Sequence, residues 1–288
     1  MLSVTGHRAA VLGSPIGHSL SPALHHAAYR ALGLSRWSYG AHEVDVEGLP
    51  RFVGELGPQW AGLSLTMPLK EAAFEVASEV STLAREVGAI NTLVRRPQGG
   101  WRGDNTDVYG VSQALREAGC VHVASSVVLG SGATARSVVA ALATLGCAKV
   151  TFAVRATARP ETLEQARRAG LEVAVVDLGQ VADVLADTPL VVSTLPADAL
   201  PADALPADAI RAAELCRGSR RGSHLLLDVV YAGWPTPLAQ AFDDAGAAVV
   251  SGLEILVHQA AEQVHLMTGL RPPVDQMRAA GLAAMEPR

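Results

Sequence analysis

Cysteine is scarce in this chain of 288 residues. The three cysteines, Cys120, Cys147 and Cys216, are widely spaced, and none belongs to a CxxC pair that could bind zinc or form a redox couple. We therefore expect reduced thiols in a cytoplasmic protein. The nine histidines occur without an HExxH sequence or paired carboxylates, so the sequence predicts no metal site.

Long apolar runs and long runs of one charge are also absent. No stretch of about 18 apolar residues could span a bilayer, and the first residues do not resemble a secretory signal. The 23 basic and 28 acidic residues give a net charge of −5, spread without a basic stripe. A polyanion would find no continuous positive surface. We therefore expect a protein that binds neither nucleic acid nor a membrane.

Short apolar runs alternate with longer helical patterns from Ala9 onward, which is typical of an α/β protein with mainly parallel strands. In the first hundred residues, the pattern predicts a helix from Ser21 to Gly33, with Ser21 as its cap, and strands at 8–12, 37–43, 62–65 and 89–96. A helix starting near Asp107 leads into a second unit. There the predicted elements are strands at 126–129, 149–154, 172–176, 190–194 and 224–230 and helices at 133–145, 160–169 and 236–245. Helical stretches at 253–268 and 274–284 could pack against either unit.

The segment 195–209 contains LPADA three times in tandem. A surface insertion that grew by duplication is one interpretation, because lengthening a long loop adds little closure entropy. A flap over a cofactor is the other.

A glycine-rich turn follows the predicted strand at 126–129. In VVLGSGATA, Gly130 is suited to a tight turn, Gly132 to close approach of a pyrophosphate, and Ala135 to close packing of helix on strand. Amide groups at the start of the following helix would attract phosphate charge. Strand, turn and helix together predict dinucleotide binding, although a tight turn in a flavodoxin-like sheet has the same pattern.

The end of the next strand indicates which dinucleotide is bound. An acidic residue there would hold the ribose 2′-hydroxyl of NAD, but the sequence AVRATAR has Arg155 and Arg159 instead. Two guanidinium groups suit a 2′-phosphate. The pattern therefore favours NADP, unless both arginines are solvated loop cations.

Polar residues of the first unit cluster at the ends of predicted elements. Ser14, Ser19 and Ser21 enter the first helix and could seat a carboxylate, or Ser19 and Ser21 could only cap that helix. Lys70 lies in a helical first turn, a position that the helix dipole disfavours, so it either points to solvent or has a function.

Asn91 and Asp107 also lie at element ends and could bind vicinal hydroxyls, or Asp107 could be a helix cap. A lysine beside an aspartate is a workable acid/base pair for reduction of a carbonyl.

Seven ordered motifs resemble the shikimate dehydrogenase family. They are GSPIGHSLSP, LTMPLK, GAINTL, DNTD, GSGATA, DVVYAGWPTPL and SGLEILVHQA. The resemblance covers nearly the whole chain. It implies an α/β fold of two domains with a cleft between them. Residues 1–106 with 253–288 would form the substrate-binding and catalytic domain, and residues 107–252 a doubly wound Rossmann-type domain that binds NADP.

The resemblance also implies roles for individual residues. Lys70 and Asp107 would be the catalytic pair for the reversible reduction of 3-dehydroshikimate to shikimate by NADPH. Ser19, Ser21 and Tyr231 would lie at the substrate carboxylate, and Thr66, Asn91, Asp107 and Gln259 at the ring hydroxyls. The residues expected at the cofactor are Gly130, Ser131, Gly132, Ala133, Thr134, Arg155, Arg159, Val229 and Gly252. The protein would act as a monomer or homodimer.

The sequence departs from the family pattern in two regions. Ser64 replaces a usual asparagine, and this shorter side chain would reach the substrate only through water. Val154 and Ala156 flank Arg155 where polar residues are usual. A quinate/shikimate dehydrogenase that uses NAD and a non-catalytic, ligand-binding regulatory paralogue are alternative interpretations, as is a more distant folate dehydrogenase or glutamyl-tRNA reductase relative.

Overall fold

The computed structural model describes residues 6–185, 188–196 and 224–285. Most of the LPADA repeat (197–209) and Cys216 lie outside these ranges. The chain divides into two compact units, Met1–Gly110 with Leu256–Arg288, and Val111–Ile255. Both contain helices and a sheet, so the expected α/β class is confirmed. Within the described ranges, no helix is both long and apolar enough to cross a membrane.

The first unit is built on a six-stranded mixed sheet of order β2-β1-β3-β5-β6-β4. Its strands are β1 (His7–Gly13), β2 (Trp37–Glu43), β3 (Trp60–Leu65), β4 (Glu79–Val80), β5 (Thr92–Arg95) and β6 (Trp101–Asp104). Strand β1 is parallel to β2 and β3, whereas β5 is antiparallel to β3 and β6. The antiparallel register sets Ser64 opposite Thr92.

The α-helices that begin before residue 110 are α1 (Ser21–Ala31), α2 (Leu49–Gly54), α3 (Leu69–Ala72), α4 (Thr82–Val87) and α5 (Asp107–Glu117). Helix α4 shows why the chain turns toward Asn91. The Ser81 hydroxyl accepts a hydrogen bond from the Ala84 N–H and caps the helix, and Gly88 ends it with a φ of 69°. Asn91 follows three residues later, just before β5.

The second unit contains a six-stranded parallel sheet of order β12-β11-β10-β7-β8-β9. Its strands are β7 (Ser125–Leu129), β8 (Lys149–Val154), β9 (Glu172–Asp177), β10 (Leu190–Ser193), β11 (Leu225–Asp228) and β12 (Ala248–Ser251). The chain order reverses between β7 and β10, and ligands of doubly wound sheets bind outside the carboxyl ends of strands at such a point. Leu129 and Ser193 end these two strands.

The remaining helices are α6 (Ala133–Thr144), α7 (Pro160–Arg168), α8 (Ala182–Leu185), α9 (Pro237–Asp244), α10 (Gly252–Thr268) and α11 (Val274–Met285). In the second unit, Val127, Leu129, Val191, Leu226 and Phe242 belong to one buried cluster. The central strands of a parallel sheet are covered on both faces, which explains why they are nearly continuous apolar runs.

Two predictions about local structure are wrong. Ser21 is the first residue of α1 and not its cap: Leu20 occupies the N-cap position and makes no side-chain capping bond. The strand predicted at 89–96 starts only at Thr92, because the Ile90 N–H donates to Lys70 O, outside the strand ladder. Strands β4 and β12 and the short helices α2, α4 and α8 were not predicted from the sequence.

Candidate active site

Lys70 and Asp107 form an ion pair in the first unit. The Lys70 Nζ lies 2.6 Å from Asp107 Oδ2, and the two side chains are 20% and 14% exposed. Lys70 is the second residue of α3, and Asp107 is the first residue of α5. The sequence alone does not show whether Lys70 points to solvent or whether Asp107 only caps a helix. The Asp107 carboxylate instead binds the lysine, so an ammonium and a carboxylate are held together with part of each still accessible.

Asn91 lies beside this pair and is held by its backbone. Its carbonyl accepts from the Leu65 N–H at 2.7 Å, and its N–H donates to Asp104 O at 3.1 Å. Its side-chain Nδ2 donates to Asp107 Oδ1 at 2.8 Å and to Thr106 Oγ1 at 3.0 Å. The ends of three strands thus bring the amide to the second oxygen of the Asp107 carboxylate.

Gln259 and Gln263 reach the same region from α10. Gln259 Oε1 lies 3.4 Å from Asn91 Nδ2, at the long end of hydrogen-bond distances. One turn later, the buried Gln263 lies between Ser64 and Thr92. The two glutamines are four positions apart, so both amides lie on one face of the helix. Lys70, Asn91, Asp107 and Gln259 are therefore joined in one group.

Ser64 has no hydroxyl proton left for a ligand. Its Oγ accepts from the Tyr39 hydroxyl at 2.6 Å and donates to Gln263 Oε1 at 2.7 Å. A serine hydroxyl has only one proton. Burial raises the pKa of the Tyr39 phenol, which therefore keeps its own proton for Ser64. Ser64 is part of the internal hydrogen bonding of the first unit.

The loop that carries Ser14 and Ser19 follows β1, and Thr66 follows β3. The Ser21 N–H donates to Ser19 Oγ at 3.3 Å, so Ser19 bonds the first residue of α1. Ser21 is buried, and Ser19 is partly exposed. Thr66 lies close to Gly13, where an added Cβ would come within 2.4 Å of Thr66 Cγ2. Glycine at this position lets the loop after β1 pass close to Thr66.

The glycine-rich turn of the second unit has the conformation that its residues predict. Gly130 has a φ of 95°, which favours glycine, and Gly132 is the N-cap of α6 without a side-chain cap. A Cβ added to Gly132 would meet no atom within 4 Å, whereas Ala135 is fully buried. The backbone N–H groups of Ala133 and Thr134 lie in the first turn of α6, where an anion is favoured.

The loop after β8 lies next to this turn. The Arg159 N–H donates to Ser131 Oγ at 3.1 Å, and the Thr162 hydroxyl donates to Ser131 O at 2.8 Å. The side chains of Arg155 and Arg159 are exposed. These two hydrogen bonds connect Ser131 of the glycine turn to the start of α7. The loop that carries both arginines begins at the end of β8.

Val229 and Gly252 are in direct contact in the second unit. A Cβ on Gly252 would lie 2.0 Å from Val229 O, so only glycine fits there. Tyr231 is partly buried two residues after Val229. The buried Asp228 accepts from the Thr236 hydroxyl at 2.7 Å and from the Val230 N–H at 3.1 Å, which closes the loop that carries Tyr231. Burial raises the pKa of the Asp228 carboxyl.

Four residues of this site were not predicted from the sequence: Tyr39, Thr92, Thr106 and Gln263. Thr92 and Thr106 stand inside the motifs GAINTL and DNTD, next to the residues that were singled out. Gln263 had one local signal, its spacing of four residues from Gln259 on a mainly apolar helix. No local pattern connects Tyr39 to this site, because its partner Ser64 lies 25 residues away in the chain.

Comparisons with known proteins agree with the motifs. A family model described as the shikimate dehydrogenase substrate binding domain matches residues 11–93, and one described as the shikimate 5'-dehydrogenase C-terminal domain matches residues 252–280. The shikimate dehydrogenase (NADP(+)) of Symbiobacterium thermophilum is 36% identical, over 96% of this chain and 94% of the relative. The chain belongs to the shikimate dehydrogenase family.

Solved structures of the shikimate dehydrogenase family have the same fold. The shikimate 5-dehydrogenase of Mycobacterium fortuitum is 44% identical with a TM-score of 0.83, covering 97% of this chain and 99% of the other. The Thermus thermophilus enzyme, solved in complex with NADP(H) and shikimate, is 32% identical with a TM-score of 0.79, covering 96% and 99%. The resemblance inferred from the seven motifs is therefore confirmed.

Proposed function

We propose that this protein catalyses the reversible reduction of 3-dehydroshikimate to shikimate with NADPH, in the biosynthesis of aromatic amino acids. Membership of the shikimate dehydrogenase family supports this reaction class. The observation that carries the proposal for this chain is the Lys70–Asp107 pair, 2.6 Å apart and partly accessible. A pure binding protein would have no need of a proton donor held by a carboxylate.

The substrate is an anionic polyol, and the first unit offers groups of matching chemistry. Ser19 and Ser21 would hold its carboxylate with hydroxyl groups at the start of α1. Thr66, Asn91, Asp107 and Gln259 would bind its ring hydroxyls, because they combine hydroxyl, amide and carboxylate groups. Tyr231, from the second unit, would contact the carboxylate. This assignment makes residues 1–106 and 253–288 the substrate-binding and catalytic domain.

NADP fits the groups of the second unit. Open space beside Gly132 and the uncapped start of α6 suit a pyrophosphate. Arg155 and Arg159 suit the 2′-phosphate, since each guanidinium can donate two hydrogen bonds to it. Val229 and Gly252 would face the nicotinamide. We assign residues 107–252 to cofactor binding, with contacts from Gly130, Ser131, Gly132, Ala133, Thr134, Arg155, Arg159, Val229 and Gly252.

Lys70 would supply the proton that the reduction requires. NADPH, when bound, supplies a hydride to the ring carbonyl carbon. The Lys70 ammonium then donates its proton to the carbonyl oxygen as negative charge develops there, which yields the alcohol. In the reverse direction, neutral Lys70 accepts the hydroxyl proton. Asp107 holds the amine through Oδ2, and Asn91 holds Asp107 through Oδ1.

The proposal extends to the setting in which the enzyme works. We place the enzyme in the cytoplasm, where its cysteines would stay reduced. We propose that it acts there as a monomer or homodimer.

The test is to follow reduction of the cofactor by absorbance, with either NADP or NAD as cofactor and either shikimate or quinate as substrate. We expect rapid turnover with shikimate and NADP. Turnover mainly with quinate and NAD would replace the proposal with a quinate dehydrogenase. Ligand binding without turnover in any combination would identify a regulatory paralogue.

A further inference from the structure

Gln263 links two strands of the first unit through its side-chain amide. It is 1% exposed on α10. Its Oε1 accepts from the Ser64 hydroxyl at 2.7 Å, and its Nε2 donates to Thr92 Oγ1 at 3.0 Å. Ser64 and Thr92 are a cross-strand pair of β3 and β5. One glutamine thus bonds both hydroxyls of this pair, one as acceptor and one as donor.

These bonds give the network a direction. Tyr39 donates to Ser64, Ser64 donates to Gln263, and Gln263 donates to Thr92. Since Nε2 approaches Thr92 Oγ1 as a donor, the one Thr92 proton points elsewhere. Its nearer acceptor is Asn91 Oδ1 at 2.7 Å, since Thr106 Oγ1 is 3.3 Å away. If the Gln263 amide were reversed, Thr92 would donate to Gln263, and Asn91 would lose this bond.

The Thr92 hydroxyl helps to decide which way the Asn91 amide faces. Asn91 Oδ1 accepts from Thr92 Oγ1 at 2.7 Å, from the Thr106 N–H at 2.8 Å and from the Thr106 hydroxyl at 3.2 Å. With these donors directed at the oxygen, the Asn91 Nδ2 group faces Asp107 Oδ1, 2.8 Å away. Lys70 binds the other oxygen of the same carboxylate. The chain of bonds therefore runs without a break from Tyr39 to the ammonium of Lys70.

We propose that Gln263 is a positioning residue for the Lys70–Asp107 pair and acts through Thr92 and Asn91. Its amide fixes the hydroxyl direction of Thr92, Thr92 orients Asn91 together with Thr106, and Asn91 holds the Asp107 carboxylate on the side away from Lys70. The inference rests on the proposed function, because it assigns Gln263 a part in that reaction. It adds a residue that touches neither the lysine nor the aspartate.

The test combines Gln263→Met, Thr92→Val and the double variant, with kcat and both KM values measured for shikimate oxidation by NADP. Loss of one orienting hydrogen bond is worth about 1 kcal/mol, so we expect each single variant to lower kcat about fivefold. We expect the KM for NADP to stay within about twofold. Because both residues act through one chain of bonds, the double variant should lose little more than the worse single variant.

Three controls separate positioning from structural support. Thr92→Ser keeps the hydroxyl and should restore kcat to near the wild-type value. Gln240→Met makes the same exchange at an exposed glutamine of α9 and should leave kcat unchanged. The thermal unfolding midpoint of every variant is measured, and kcat is compared well below the lowest midpoint.

Several outcomes would overturn the inference. Variants that unfold earlier but keep wild-type kcat would make Gln263 a structural residue only, and additive losses in the double variant would remove the connection through Thr92. If Gln263→Met does not fold, equal kcat for Thr92→Val and Thr92→Ser would contradict the proposal. A wild-type protein that is inactive on shikimate and NADP would overturn the proposed function and this inference together. If the wild type is active and the Gln263→Met and Thr92→Val variants keep its kcat, the inference alone is overturned.

Discussion

The two units place polar groups in different ways. In the first unit, buried side chains bind one another, and Asn91, Thr92 and Gln263 form a connected set around the Lys70–Asp107 pair. In the second unit, the turn proposed to bind the cofactor offers mainly backbone N–H groups, and the side chains of Arg155 and Arg159 are exposed. In the proposed function, substrate chemistry would therefore depend on side-chain orientation, whereas cofactor binding would depend on the space that glycine leaves open.

The largest expected effect is in the first unit. Lys70→Ala removes the proposed proton donor, and because general acid/base catalysis contributes about two to four powers of ten, kcat should fall by about that amount. NADPH binding, measured by fluorescence titration, should change little because the second unit is unaltered. Lys149→Ala removes a half-exposed lysine at the start of β8 and serves as the control. A Lys70→Ala variant with near wild-type kcat would exclude Lys70 from the mechanism.

The buried His25 should make the first unit sensitive to acid. Burial lowers its pKa from 6.5 to about 4, and its ring stacks on Tyr39 with centroids 3.8 Å apart. Between these two pKa values, the unfolded chain binds a proton that the folded chain excludes, so the stability present above pH 6.5 is lost as the pH falls toward 4. The loss between pH 7 and pH 4 should be about 3 kcal/mol for this group.

Urea unfolding at several pH values measures this contribution. His25→Phe keeps an aromatic ring beside Tyr39 but cannot titrate, so its free energy of unfolding should fall less with acid than that of the wild type. The exposed His26 is on the same helix, and His26→Phe should retain the wild-type pH dependence. Parallel curves for wild type and His25→Phe would show that His25 does not set the acid sensitivity.

Alanine substitutions at two glycines of the second unit should affect different properties, stability in one case and cofactor binding in the other. An alanine Cβ at Gly252 would lie 2.0 Å from Val229 O, so Gly252→Ala should lower the free energy of unfolding by about 2 kcal/mol. Gly132→Ala meets no protein atom within 4 Å and should leave stability within about 0.5 kcal/mol. Its methyl group would instead occupy the space proposed for pyrophosphate, raising the KM for NADPH about tenfold, which is about 1.4 kcal/mol.

Gly54→Ala is the control, since it also adds a methyl group to open space, at an exposed position of α2. It should change neither stability nor the KM for NADPH. An unchanged KM in Gly132→Ala would contradict the proposed approach of the pyrophosphate to Gly132.

Substitution of the two arginines of the second unit should have the smallest effect on activity. Arg155→Ala and Arg159→Ala each remove an exposed guanidinium, and solvent weakens such interactions, so we expect each variant to raise the KM for NADPH about fivefold. The KM for NADH should hardly change, because NADH lacks the 2′-phosphate. Equal changes for the two cofactors would mean that neither arginine selects NADP.

The second unit could be predicted from the sequence in most of its detail. The turn with Gly130 and Gly132 depends on backbone conformation and on the lack of a side chain, both of which are properties of the local residues. The apolar runs of β7, β8 and β10 come from burial on both sheet faces. The edge strand β12 was missed because it is short and its first two residues are not buried.

The first unit could be predicted only in part. The motifs indicated Lys70, Asn91 and Asp107 as candidates, but their atomic partners depend on a mixed sheet whose register no local pattern specifies. Ser64 illustrates the limit. From the sequence, its short side chain was expected to reach the substrate only through water, whereas its hydroxyl is engaged by Tyr39 and Gln263.

The sequence by itself determined the α/β class, the family, the glycine turn and the residue types of the candidate site. These follow from periodicity, from backbone conformation and from ordered motifs, which are all written along the chain. Only the tertiary structure decided that Gln263 lies between Ser64 and Thr92, and that Asn91 directs its amide nitrogen at Asp107. Such hydrogen bonds join atoms of residues up to 199 positions apart, and their direction depends on every donor and acceptor around them.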